Sequence, residues 1–154
     1  MPHELETILP DGYIIETSPA AEQWWTEAAG ILQRGRLLTV DYGLTANDLF
    51  SPHRLKGTLR AYHRHHVTDD VLGNAGAQDI TAHVNFDAIQ TAGEKAGLAT
   101  EVFCTQAQFL TGILAHLSRG NQPMDWTPAR TRQFQTLTHP EHLGRAFRVL
   151  VQKR

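Results

Sequence analysis

Between Arg60 and Phe86 the chain reads RAYHRHHVTDDVLGNAGAQDITAHVNF, gathering His63, His65, His66 and His83 beside Asp69, Asp70 and Asp79. Imidazole and carboxylate side chains bind zinc or iron, and imidazole moves protons near neutral pH. On an extended strand His63 and His65 share a face while His66 points away, so a metal needs a third ligand from His83 or an aspartate. HExxH and CxxC spacings are absent from the sequence, and HxHH by itself is a weak motif. Two other readings stand beside the metal. One is a polar loop or strand whose basic side chains bond nearby carboxylates. The other is a substrate-facing cluster in which Asp69, Asp79 and His83 handle a substrate and its proton.

A second candidate pair is Asp41 and Tyr42, which end the apolar run Arg36 to Gly43. The chemistry of open α/β sheets collects beyond the carboxyl ends of the strands, which makes both residues site candidates by position. An Asp that merely caps a turn is the alternative. Cys104 sits within an apolar strand candidate and reads as an inert buried thiol. Neither a GxSxG elbow nor a GxxxxGK[ST] phosphate loop occurs.

The elements that position these residues alternate between apolar runs and helical periods, which suggests an α/β fold. Residues 12–17 read as a short strand. Ser18-Pro19 then opens a helix bearing Ala21, Trp25, Ala28 and Leu32 on one face, stopped at Gly35. Residues 36–43 read as a buried parallel strand, and 44–58 as a connecting excursion with a short helix near 46–50. Asn85 caps a helix from Phe86 to Ala96 that Gly97 closes, and Leu98 to Cys104 is a strand. An amphipathic helix carries Phe109, Leu110, Ile113, Leu114 and Leu117 and ends over Gly120 to Pro123. Thr127-Pro128 opens a further helix that stops near His139-Pro140. Ala146 to Gln152 alternates as a strand with one better-covered face.

With 154 residues the chain has the size of one domain. Its 41% hydrophobic and 19% charged composition is that of a globular protein. A formal charge of -2 supplies no global pull toward nucleic acid or anionic lipid. A single cysteine points to a reducing compartment, and the acidic, proline-bearing start lacks the basic and apolar character of a signal peptide. The expectation is a cytoplasmic chain without a membrane span, since no run of 18 apolar residues is present.

Taken in order, LPDGYIIETSPAAEQWW, GRLLTVDYG, KGTLRAYHRHHVTDDVLGNAGAQDITAHVNFDAI, TQAQFLTGIL and the closing FRVLVQK resemble the MidA-like S-adenosylmethionine-dependent methyltransferases. These are relatives of a mitochondrial complex I assembly factor that methylates protein arginine. The resemblance implies the carboxyl-terminal part of a Rossmann-like class I methyltransferase sheet. Residues 36–42 then correspond to its fifth strand, 98–104 to its sixth, and 146–152 to an antiparallel seventh inserted between them. The glycine-rich turn and acidic second-strand end that hold the cofactor in such folds are not in the sequence. The chain is therefore expected to be an incomplete domain that does not bind S-adenosylmethionine detectably by itself.

The same resemblance implies methyl transfer to a protein arginine, with Asp41, Tyr42, Asp79 and His83 as catalytic candidates. His65, His66, Asp69, Gln78, Thr81 and Asn85 are the candidates for binding or enclosing the acceptor. The expected partner is a protein substrate, such as a respiratory-complex subunit. The edge Leu37 to Asp41, left without its fourth-strand neighbour, implies self-association or a partner chain. Two alternatives remain. The first is a non-catalytic interaction module with Trp24 and Trp126 as exposed anchors. The second is a metal-dependent hydrolase built on His63, His65 and His83.

Overall fold

The computed structural model describes residues 10–64, 66–120 and 126–154. In chain order the elements are α1 (Pro19–Ile31), β1 (Arg36–Leu44), α2 (Ala46–Leu49), β2 (Arg60–His63), β3 (His66–Thr68), β4 (Asp79–Thr81) and β5 (Val84–Asn85). They continue with α3 (Phe86–Lys95), β6 (Ala99–Thr105), α4 (Gln106–Arg119), α5 (Pro128–Thr138), α6 (Leu143–Ala146) and β7 (Phe147–Lys153). No described helix is long and apolar enough to cross a membrane.

Helix starts follow local chemistry. Asn85 accepts from the Ala88 amide, Thr127 from that of Arg130, and Thr105 forms a capping box with Gln108. Ser18 precedes α1 without a side-chain cap, so Pro19 at the first position carries that start. Helix α1 gives way at Leu32, three residues before Gly35, whose φ of 134° belongs to the turn into β1. The stop expected over Gly120 to Pro123 falls partly outside the described residues.

Four strands form one mixed sheet in the order β5-β1-β7-β6, and three form a small antiparallel sheet in the order β3-β2-β4. As expected, the last strand runs antiparallel between β1 and β6, from Arg36↔Lys153 to Tyr42↔Phe147 on one side and from Ala99↔Lys153 to Thr105↔Arg148 on the other. Three expectations are corrected. Residues 12–17 form no strand; the segment is tied by a bond from the Ile14 amide to the Leu55 carbonyl. Strand β1 is not a buried parallel strand, because its only parallel neighbour among the described residues, β5, reaches just Gly43 and Leu44. One face of β1 is exposed at Leu38, Val40 and Tyr42. Strand β7, conversely, is covered on both faces, with Val149, Leu150, Val151 and Gln152 all buried.

The core lies between β7 and helices α1 and α3, where Trp25, Phe86, Ile89 and Leu150 pack together and Leu37 and Phe103 close the sides. Full burial of a side chain the size of Phe86 or Leu150 contributes about 1.5–3 kcal/mol. Helix α4 packs against β6 and β7. One polar side chain is enclosed in this core. Gln152 accepts from the Trp25 indole N–H at 2.7 Å and donates to the Gln90 carbonyl and the Thr100 hydroxyl, each at 2.9 Å. Gly93 passes against that amide, and a Cβ there would lie 1.9 Å from the Gln152 Oε1.

Replacing Gln152 with Leu keeps the volume, orphans the buried Trp25 indole N–H and removes the amide's bonds to the Gln90 carbonyl and the Thr100 hydroxyl. The variant is expected to lose about 2–4 kcal/mol in chemical denaturation. A loss under about 0.5 kcal/mol would show that packing, not this amide, holds the helices to β7.

Candidate functional site

Strand β1 ends in Asp41, Tyr42 and Gly43 because β5 and Phe86 close over it there. A Cβ on Gly43 would lie 2.2 Å from the Phe86 ring and 2.7 Å from the Val84 carbonyl oxygen. At this carboxyl end the Asp41 Oδ1 accepts from the Tyr42 amide at 2.7 Å. The Tyr42 ring lies 4.0 Å from that of Phe147 between centroids, and meets the His83 imidazole edge-on at 6.4 Å. The strand-end rule therefore brings Asp41, Tyr42 and His83 to one place, although His83 arrives from the loop after β4.

His83 is held by its backbone and tuned by its surroundings. Its amide donates to the Thr58 hydroxyl at 2.9 Å. Burial first, and then the positive charge of Arg54, lower the imidazole pKa from its ordinary value of 6.5. Arg60 acts in the same direction, while the carboxylates of Glu16 and Asp41 oppose it. The neutral ring is favoured at physiological pH. In that state one ring nitrogen is free to accept a proton.

Glu16 and Thr58 were not singled out from the sequence. The Glu16 carboxylate accepts from the Thr58 amide at 2.8 Å, the Thr58 hydroxyl at 2.6 Å and the Leu59 amide at 2.7 Å. Burial works against its charge, but the bonds from Thr58 and Leu59 prevail, and its pKa falls below 4.5. Forty-two residues separate Glu16 from Thr58, so no local pattern signals the contact. The available hint was an acid closing the apolar run Tyr13 to Ile15, two residues before Ser18-Pro19.

Beside His83 opens a cavity of about 200 Å³ whose walls include Ala21, Leu49, Val84 and Ile89, with Glu16 and Asn85 as polar members. Asn85 thus lines the cavity while its side-chain oxygen caps α3. The remaining candidates lie elsewhere. Asp79 and Thr81 are exposed on β4 and line a shallow depression of about 370 Å³ with Tyr62 and Arg64. Asp69 pairs with Arg60 at 3.5 Å and Lys56 at 3.9 Å. Gln78 donates to the Val71 and Asp70 carbonyls and so closes the loop between β3 and β4.

The histidine-rich stretch is a hairpin, not one strand. Strand β2 ends at His63, Arg64 turns with a φ of 49°, and His66 stands opposite His63. His63 is engaged through its Nδ1 with the Ala77 carbonyl at 2.8 Å. His65 lies outside the described residues. Among the described residues no three His, Cys, Asp or Glu side chains are grouped to hold a metal ion. Cys104 is half-buried on β6, and burial pushes its thiol pKa up, in keeping with an unreactive thiol.

Residues 1–104 match a family model described as "Putative S-adenosyl-L-methionine-dependent methyltransferase". The fold is similar to two crystal structures from Burkholderia thailandensis. One, of an uncharacterized protein, is 29% identical with a TM-score of 0.82 and covers 100% of this chain and 44% of its own. The other, bound to S-adenosyl-homocysteine, is 32% identical with a TM-score of 0.80 and covers 95% of this chain and 38% of its own. The chain spans less than half the length of either protein. No curated protein matches it.

The lowered His83 pKa fixes the sign of a pH effect. Below the unfolded value near 6.5 the unfolded chain binds the proton more readily than the native one. The contribution of the neutral imidazole is therefore complete above pH 6.5 and lost as pH falls through the native value. NMR titration of the folded chain should give a His83 midpoint below 6.5, and His83→Gln should flatten the stability loss on that descent. A midpoint at or above 6.5 would contradict the burial described here.

Proposed function

The chain belongs to the S-adenosyl-L-methionine-dependent methyltransferase family whose model it matches, and from that premise we propose that it forms the acceptor side of a methyl-transfer site acting on a protein arginine. The observation that carries this reading is the neutral-leaning imidazole of His83, which lines a cavity sized for a side chain and meets Tyr42 near the carboxyl end of β1. In this role the cavity takes the acceptor side chain and the walls from Ala21, Leu49 and Ile89 exclude water from its stem. A His83 ring nitrogen receives the proton that the acceptor nitrogen gives up, and the Tyr42 ring packs edge-on against that imidazole. General-base assistance of this kind contributes about 10²–10⁴-fold. Asp79 and Thr81, facing outward on β4, are suited to contacts with the polypeptide around the acceptor.

The described residues do not fit the cofactor itself. None of their strands leads through a glycine-rich turn into a helix of the kind that cradles a nucleotide. We assign S-adenosylmethionine binding to polypeptide beyond these residues, in keeping with relatives more than twice as long. The free side of β1 between Leu37 and Asp41, with Leu38 and Val40 exposed, is suited to pair with a strand from another chain or a second copy.

Three measurements test this reading. Calorimetry of the isolated chain with S-adenosyl-homocysteine should show no stoichiometric micromolar site; finding one would overturn the division of labour. Light scattering should show mass rising with concentration, and Val40→Lys should suppress the rise. A concentration-independent monomer would remove the edge from consideration. Finally, a chimera carrying this chain in place of the matched segment of the S-adenosyl-homocysteine-bound relative should transfer labelled methyl groups to arginine peptides, with kcat falling about 10²-fold or more in His83→Gln. A chimera that binds the cofactor and labels no arginine would sink the acceptor assignment.

A further inference from the structure

We propose that Glu16 is a positioning residue for His83, acting through Thr58. The inference rests on the role given to His83 above, and its geometry stands apart from that role. Among the described residues, the hydrogen bonds to the Glu16 carboxylate come from Thr58 and Leu59. The Thr58 hydroxyl donates to Glu16 and accepts from the His83 amide. Thr58 is only 4% exposed, so water does not compete for these bonds. A carboxylate, a hydroxyl and an amide form one relay across segments distant in sequence, with the site histidine at its end.

The turn that presents Thr58 is built for this contact. Gly57 has a φ of 60°, and a Cβ there would lie 2.4 Å from the Glu16 Oε1. A side chain at that position would be strained by the backbone conformation and would displace the carboxylate from its present place. Glu16 also lines the cavity together with His83, so the residue that anchors the relay forms part of the wall the acceptor would touch. A charged acceptor is the stronger partner for two amides and a hydroxyl. Glutamine at position 16 would keep an oxygen there and give up the charge.

Amide hydrogen exchange followed by NMR reads the relay directly on this chain, without any methyl transfer. In wild type the His83 amide should be protected. Glu16→Ala and Thr58→Val should each speed its exchange by about tenfold or more, Glu16→Gln should give a smaller increase, and Thr58→Ser should restore protection. The amides of Val149 and Leu150 should exchange at wild-type rates throughout. Unchanged His83 exchange in Glu16→Ala and Thr58→Val, or acceleration shared equally with Val149 and Leu150, would overturn the proposal. A relay that responds as stated in a chain whose chimera labels no arginine would leave the positioning intact and refute the acceptor reading alone.

Discussion

A single buried amide holds the two halves of the core in register. Gln152 projects from the central strand and meets an indole from α1, a carbonyl from α3 and a hydroxyl from β6. Apolar contact between Trp25, Phe86, Ile89 and Leu150 supplies the driving force but tolerates sliding. The amide does not, because a shift by one residue along β7 would turn it to the other face and leave the buried Trp25 indole N–H without its acceptor. Register in β7 in turn fixes where β1 ends, and hence where Asp41 and Tyr42 stand relative to His83.

Much of the architecture was legible because it rests on short-range signals. Asn85, Thr105 and Thr127 sit where capping chemistry puts helix starts, and all three caps form. The antiparallel insertion of the last strand followed from a resemblance, and the pairing of β7 with both β1 and β6 bears it out. What failed to show was non-local. Residues 12–17 are apolar enough for a strand, but propensity cannot supply a pairing partner. The alternation in 146–152 suggested one covered face, whereas helices on both sides bury it. The reverse holds for β1, whose apolar run promised burial that its neighbours do not provide.

The site shows the same division. Asp41 and Tyr42 were singled out from their place at a strand's end and His83 from its chemistry, and the Tyr42 and His83 rings do meet. The described histidines and aspartates of the stretch after Arg60 are spread over a hairpin and a loop. His63 and Gln78 bond backbone carbonyls, and Asp69 pairs with Arg60 and Lys56, so these groups are engaged in closing a hairpin and a loop. The carboxylate closest in the hydrogen-bond chain to His83 is Glu16, which carries no motif. Its importance comes from a contact across 42 residues that folding creates.

The insertion of β7 between β1 and β6 also bears on timing. Neither of those strands has a long partner until β7 exists, and Trp25 waits 127 residues for the amide that accepts its N–H. At the about 5–20 residues per second of synthesis, that interval is on the order of 6–25 s. Throughout it, Leu38, Val40 and the indole of Trp25 remain without their native strand. For a newborn chain this topology makes the final strand a latch, and the period before it closes is a window for capture by chaperones or by other unfinished copies.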